Sequence, residues 1–278
     1  MKDTTFDAVL AQYEKNTSSY DQAMSQEERM KKYFAAILPK GENSGQRRIR
    51  ILPTSDGSSP FKEVWYHEIQ VNGTYNKFYD PDKNDGERSP LNEVYEELMK
   101  TGKESDKELA KQYKSRKFYI VKVIDRDNEQ DGPKFWRFKH NYRQDGVLDK
   151  IIPIWRSKGN ITDPNTGRDL IIQLVKSKSG NGKEYTSIQT IMHDDPGVLS
   201  ADAEQLKTWV EDPTTWEDVY SKKPVEYLEA IARGEVPRWD SETKKYLYGD
   251  DSTEVFGGST SESVDPQANM GIDEELPF

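Results

Sequence analysis

Residues 114–143, KSRKFYIVKVIDRDNEQDGPKFWRFKHNYR, divide into two strands and a polar turn. Segments 116–125 and 133–140 are rich in β-branched and aromatic residues, and an Asp/Asn/Gly run separates them. Side chains alternate across a strand, so Phe118, Ile120 and Ile124 share one side of the first segment, and Lys117, Tyr119, Val121 and Val123 share the other. At least one of these faces must meet a core. In the second segment Phe135 and Arg137 fall on one face and Lys134, Trp136 and Phe138 on the other, followed by Lys139, His140, Tyr142 and Arg143. The stretch holds nine Lys/Arg, six aromatic residues and four acids, and all four acids lie in the turn, so the strands themselves are basic and aromatic. Two readings fit this composition. The rings are core and the cations ordinary solvated partners, or the stretch lines a groove in which cations track phosphates and rings stack on unpaired bases.

The whole chain has 278 residues, room for one large domain or two small ones, and its 33% hydrophobic content predicts that part of it stays unpacked. It contains no apolar run of membrane-crossing length, and its first residues, MKDTTFDAVLAQYEKN, lack the apolar segment of a signal peptide. The expectation is a soluble, cytoplasmic protein. With no cysteine and only His67, His140 and His193, disulfides, thiol chemistry and a structural zinc are not expected. The net charge of −10 is unevenly placed: residues 249–278 carry eight acids and no Lys or Arg, which leaves 42 acids against 40 bases in the body. A near-neutral body with basic strands still offers a local field to phosphates.

Residues 1–36 read as an N-terminal arm with helical spacing at Phe6, Val9, Leu10 and Tyr13, followed by a second helix in SQEERMKKYFAAIL, which Ser25 and Glu28 start as a capping box. In RRIRILP, Ile49 and Ile51 point one way and Arg48 and Arg50 the other. The clearest hairpin is FKEVWYHEIQV and TYNKFY around Asn72-Gly73, whose residues accept the positive φ angles of a type I′ turn. It adds Trp65, Tyr66, Tyr75, Phe78 and Tyr79 to the aromatic inventory. Ser89 and Pro90 open a helix carrying Leu91, Val94, Tyr95, Leu98 and Met99 on one face. GVLDKIIPIW reads as a short helix or turn ended by Pro153. DLIIQLVKSK and KEYTSIQTI form a last strand pair, and from Ser200 the pattern turns helical. Six or so strands in short hairpins, without regular strand and helix alternation, predict a mainly β (α+β) fold: a curved barrel with helical insertions.

The chain ends in GIDEELPF, an acidic run followed by an apolar tip with a free carboxylate. This tip resembles the C-terminal peptide of bacterial single-stranded DNA-binding proteins, which implies partner binding through Asp273, Glu274, Glu275, Leu276, Pro277 and Phe278. A longer resemblance spans residues 41–191. GENSGQRRIRILP, HEIQVNGTYNKFY, KFYIVKVID, GPKFWRF and GVLDKII are similar to strands and a helix of the helix-destabilising, single-stranded DNA-binding proteins of T-even-type phages. The resemblance implies an oligonucleotide-binding (OB-fold) core over residues 37–195 with a subdomain inserted at about 74–115; the helical pattern after Ser200 and the Gly, Ser, Asp and Glu composition after Tyr248 add a C-terminal helical segment over 196–248 and an acidic disordered tail over 249–278. Two departures stand out. Where that family carries a Cys/His zinc subdomain, YDPDKNDGERSPLNEVYEEL has neither residue, which leaves Leu91, Val94, Tyr95 and Leu98 to hold the insertion by packing. Residues 1–32 hold five basic and six acidic residues, unlike the family's strongly basic arm, which puts self-association along DNA in doubt.

These readings predict phosphate contacts from Arg48, Arg50, Lys117, Lys122, Arg137 and Lys139, and base stacking on some of Trp65, Tyr66, Tyr75, Tyr79, Tyr119, Trp136 and Tyr142. The expected partners are single-stranded DNA and, through the tail, replication and recombination proteins, with no cofactor and no chemical step. No phosphate-binding glycine loop, HExxH or GxSxG motif occurs. The alternatives are an RNA-binding or protein-recruiting adaptor, and a nuclease built from carboxylates and metal.

Overall fold

A computed structural model of the chain describes residue 28 and residues 31–180, 182–220, 222–240 and 245–249. Among the described residues it is a mixed α and β structure, a large and mostly antiparallel sheet with seven α-helices. The strands are β1 (Tyr33–Phe34), β2 (Ser44–Ile51), β3 (Lys62–Val71), β4 (Thr74–Tyr79), β5 (Ser115–Asp125), β6 (Pro133–Lys139), β7 (Arg168–Lys178) and β8 (Glu184–Pro196), with a separate pair, β9 (Arg238–Asp240) and β10 (Lys245–Leu247). Helices α1 (Pro81–Asp85), α2 (Pro90–Lys100) and α3 (Glu104–Tyr113) lie between β4 and β5. Helix α4 (Val147–Lys158) follows β6, and α5 (Ala203–Val210), α6 (Trp216–Val219) and α7 (Val225–Ala232) follow β8. None of the described helices is long and apolar enough to cross a membrane.

The central stretch pairs antiparallel, with Val121 opposite Trp136 and Tyr119 opposite Phe138. The other edge of β5 is shared between two partners, β3 along residues 115–120 and β2 along residues 123–125. The main ladder therefore runs β1-β6-β5-β2-β7-β8, with the β3–β4 hairpin attached to β5. This ladder does not close into a barrel. Its two ends nonetheless come together, because the chain just after β1 donates the Leu38 N–H to Thr186 Oγ1 on β8 at 3.3 Å. Ile49, Ile51, Val121, Val123, Trp136, Phe138, Leu170, Ile172 and Ile191 fill the inside of the curl, and α4 adds Val147, Ile151 and Ile154.

Burial on both sides of β5 sets the rest of the architecture. Phe118, Ile120 and Phe135 pack on the outer face with Tyr33, Val64, Tyr66 and Tyr79, and with Val219 and Tyr220 from the C-terminal segment. Tyr33 and Phe34 are neighbours in sequence yet join opposite cores. Only an extended chain does this, since adjacent side chains point to opposite faces of a strand. The helix expected through SQEERMKKYFAAIL therefore gives way to β1, where the Lys32 carbonyl accepts the Phe135 N–H at 2.7 Å. Apart from Glu28, the arm before residue 31 lies outside the described residues. Pro153 does not end α4, which continues to Lys158. The ring removes one N–H from the helical ladder, and the surrounding hydrophobic contacts outweigh that loss.

The insertion is anchored by a polar knot, which corrects the expectation that packing of Leu91, Val94, Tyr95 and Leu98 holds it. Of these four only Leu91 is buried, in a cluster with Ile69, Phe78, Leu228 and Ile231. His67 and Asp80 are both fully buried. His67 Nδ1 lies 2.7 Å from the Tyr113 carbonyl, so it donates there, and Nε2 lies 3.4 Å from Ser89 Oγ and 3.5 Å from Asp80 Oδ1. Asn92 donates to both Asp80 oxygens at 3.0 and 3.1 Å, and Asp80 caps α1 through the Asp82 N–H at 3.1 Å. One imidazole and one carboxylate, each committed to hydrogen bonds, do not fit a zinc ion.

Burial by itself would raise the Asp80 carboxyl, but the neighbouring His67 ring and the hydrogen bonds from Asn92 outweigh it and hold it at about 2. A carboxylate depressed below its ordinary value of 3.8 stabilises the fold above about pH 4, and that contribution is lost as pH falls through about 2. Asp80→Asn is expected to cost about 2 kcal/mol at pH 7 in urea unfolding, at 1.36 kcal/mol per pKa unit, with the gap to the parent narrowing between pH 4 and 2. A gap independent of pH would show that the carboxylate charge plays no part.

Candidate nucleic-acid interface

On β5 the inner face carries Val121 and Val123 into the core, and the same alternation brings Tyr119 and then Lys117 beyond it. On β6 the matching row runs Trp136, Phe138, and then His140 just past the strand end. Tyr119 Oη lies 3.3 Å from His140 Nδ1, and the Tyr142 ring meets His140 edge-on at 4.4 Å. Tyr142 is 71% exposed. Across the other edge of β5, Trp65 sits directly opposite Lys117, whose Nζ lies 5.4 Å from the centre of the indole. Trp65, Lys117, Tyr119, His140 and Tyr142 thus form a ledge of rings around one cation, with Glu63 as the carboxylate paired to Lys117 at 2.7 Å.

The ledge holds the charge states that base stacking and phosphate contact need. The hydrogen bond to Glu63 pushes the Lys117 ammonium up, so it stays protonated at neutral pH. Burial pushes the Tyr119 phenol up against the opposing charge of Lys117, which keeps it a neutral hydrogen-bond donor. A neutral ring beside a permanent cation offers a stacking surface, and Glu63 is the carboxylate that a phosphate would displace from Lys117.

The thirteen residues expected to bind DNA do not form one surface. Trp65, Lys117, Tyr119 and Tyr142 meet on the ledge, while Tyr75 stands partly exposed beside the β3–β4 turn. Arg50, Tyr66, Tyr79 and Trp136 are buried, which corrects their assignment as contacts. Trp136 is 3% exposed, with its ring between those of Phe34 and Phe138 at 5.7 and 4.8 Å. The Tyr79 hydroxyl donates to Asp85 at 2.9 Å, and its ring stacks on Trp216. Arg50 donates to Asp169 and to the carbonyls of Asp163 and Gly197, clamping loops more than a hundred residues away in sequence. Gly167 lies against this clamp, and a Cβ there would come 2.7 Å from Arg50 Nη2.

Lys122, Arg137 and Lys139 occupy the outer face, so a strand lying on the ledge cannot reach them from the same side. Lys122 is tied to Asp212, and Lys139 shares Glu68 with Lys77 and Arg116. Burial would raise Glu68, but Lys139, Lys77 and Arg116 outweigh it and hold the carboxyl below its usual range. Arg48 sits at the opposite end of the sheet, paired with Asp169 and Asp194. The sequence reading assigned no role to His140, although it continues the Phe138 alternation. It also gave none to Trp216, Tyr220 and Lys222, whose packing on the outer face has no local signal because 80 or more residues separate them from the strands. Residues of the tail tip, Asp273 to Phe278, lie outside the described residues.

No protein-family model matches the chain, and no curated protein matches it. The functional reading therefore rests on the geometry and on the sequence pattern. Among the described residues no group of three or more His, Asp or Glu gathers where a metal ion could be held.

Exposure separates binding side chains from structural ones and can be checked directly. Tyr142→Ala is expected to leave the urea midpoint unchanged, whereas Trp136→Ala should cost about 3–5 kcal/mol as a large core truncation. Equal stability of the two variants would contradict the placement of Trp136 in the core.

Proposed function

We propose that this chain binds single-stranded DNA without sequence preference, in the manner of phage helix-destabilising proteins. The observation that carries the reading is the ledge of Trp65, Lys117, Tyr119, His140 and Tyr142. Rings can stack only on unpaired bases, so such a surface favours melted strands over duplex and needs no chemical step. The curled sheet, whose ends meet at Leu38 and Thr186, supports an opened form of the oligonucleotide-binding barrel. In this reading the protein acts in phage DNA replication, recombination and repair in the cytoplasm of the infected bacterium. The acidic tail, ending in Leu276, Pro277 and Phe278, recruits partner enzymes.

The test is a tryptophan-fluorescence titration with oligo(dT), a duplex of equal length and an RNA oligomer at several salt concentrations. Quenching by oligo(dT), weaker duplex binding and a slope of log affinity on log salt near −0.7 per phosphate neutralised are expected. Trp65→Ala should weaken oligo(dT) binding roughly tenfold or more, since stacking contributes about 1–3 kcal/mol per base. No binding at low salt would reject the proposal. Deleting residues 249–278 is expected to raise affinity at low salt by removing eight acids that compete with DNA for cations. Unchanged affinity would reject that competition.

A further inference from the structure

Phe61, Glu63 and Trp65 alternate along the start of β3 on the ledge side, because the intervening Val64, like Tyr66, belongs to the outer core while Phe61 packs on the inner one. Trp65 lies opposite Lys117, and Glu63 opposite Tyr119. Phe61 in turn meets Trp155 of α4, with ring centres 6.0 Å apart, and Phe138 at 6.3 Å. Phe138 meets Tyr119 at 5.8 Å, Tyr119 meets His140 at 5.7 Å, and His140 meets Tyr142. Rings are therefore in unbroken contact from Tyr142 on the ledge to Trp155 in the last turn of α4. Phe138, in the middle, is buried, whereas Phe61 and Trp155 are half-buried, packed against the core yet still partly open to solvent.

Half-open rings are common at the rim of a core, but these two continue the ledge. Phe61 and Trp65 are four residues apart on one extended segment, so about 13 Å separates them at roughly 3.3 Å per residue. One base cannot cover both, and a second base of the same strand is needed to use the further ring. Glu63 stands between them, and its side chain, 48% exposed, can turn to solvent when a phosphate takes its place at Lys117. Beyond Trp155 come Arg156 and Lys158, both exposed and neither in an ion pair with any described residue. Arg143, beside Tyr142 at the other end, is placed in the same way. Cations in the last turn of a helix also complement its dipole. Here they stand next to a partly open ring, the combination that binds unpaired strands.

We propose that Phe61 and Trp155 form a second base-stacking station. A single strand of DNA lying on the ledge continues along the start of β3 to the last turn of α4, where Arg156 and Lys158 take phosphates. The station rests on the nucleic-acid reading of the ledge and adds to it residues that the sequence pattern did not mark.

The experiment is titration of the full chain with oligo(dT) of increasing length, read by the anisotropy of a label on the DNA so that loss of a tryptophan leaves the signal intact. Affinity of the parent is expected to keep rising with length until both stations are filled. Trp155→Leu and Phe61→Leu should each weaken binding of long oligomers roughly fivefold or more, through the loss of one stacked base, and binding of the shortest oligomers much less. Trp155→Phe, which keeps a ring, should recover most of that loss. Arg156→Gln should reduce the steepness of log affinity on log salt by about 0.7, the share of one phosphate. Should Trp155→Leu fail to fold in a urea titration, Phe61→Leu carries the test. Parent-like affinity of both leucine variants at every length, with Trp65→Ala still weakened, would overturn the second station and leave the ledge intact. An equal loss at all lengths would mean that these rings only support the ledge, and would overturn the station as well. No binding of any oligomer by the parent at low salt would sink the nucleic-acid reading and the station with it.

Discussion

Strand β5 has no solvent face along most of its length, and the structure depends on that constraint. Its inner side chains Val121 and Val123 meet the core under α4, while Phe118 and Ile120 meet a second core roofed by Val219 and Tyr220. Each buried aliphatic or aromatic side chain stabilises the fold by about 1.5–3 kcal/mol, so neither face can be stripped without large loss. Ile124 adds a third contact, with Leu52, Leu199 and Trp209. Polar residues on this strand are consequently driven to its ends or into pairs with acids. The ledge sits at the N-terminal end of β5 for this reason.

Most of the body's cations are already engaged. Arg50 and Arg126 converge on Asp169, with Arg48 beside them, and Lys134 is held by Asp125 and Asp131. Burial pushes the Arg50 guanidinium down while Asp169 opposes it, the signature of a charge recruited for structure rather than for solvent. Breaking such a buried pair leaves an uncompensated ion, which is why these arginines are poor candidates for exchange between acid and phosphate. Lys117, which faces a half-buried ring and a single carboxylate, is placed differently.

The insertion and the C-terminal segment act together on the outer face. Helix α7 packs its Leu228 and Ile231 against Ile69, Phe78 and Leu91, and Trp216 stacks on Tyr79. The His67 and Asp80 knot fixes where α1 and α2 begin, so the hairpin, the insertion and the last helices share one mechanical unit. Loosening the knot would shift Trp65 as well, because Asn84, one turn into the insertion, accepts the Trp65 N–H at 2.9 Å.

Local pattern alone determined the strand pairs, the Asn72-Gly73 turn, with φ of 53° and 80°, and the helix opening at Ser89 and Pro90. These depend on alternation, positive φ and capping, all of which operate within a few residues. It also marked Trp65, Lys117, Tyr119 and Tyr142 as residues of the right chemistry. It could not separate them from Trp136, Tyr66 or Arg50, because alternation says which residues share a face but not what covers that face. The covering groups, α4, Tyr220, Asp169 and Gly197, arrive from distant parts of the chain. Only the tertiary structure decided which rings are core and which are surface, since burial depends on contacts between segments far apart in sequence.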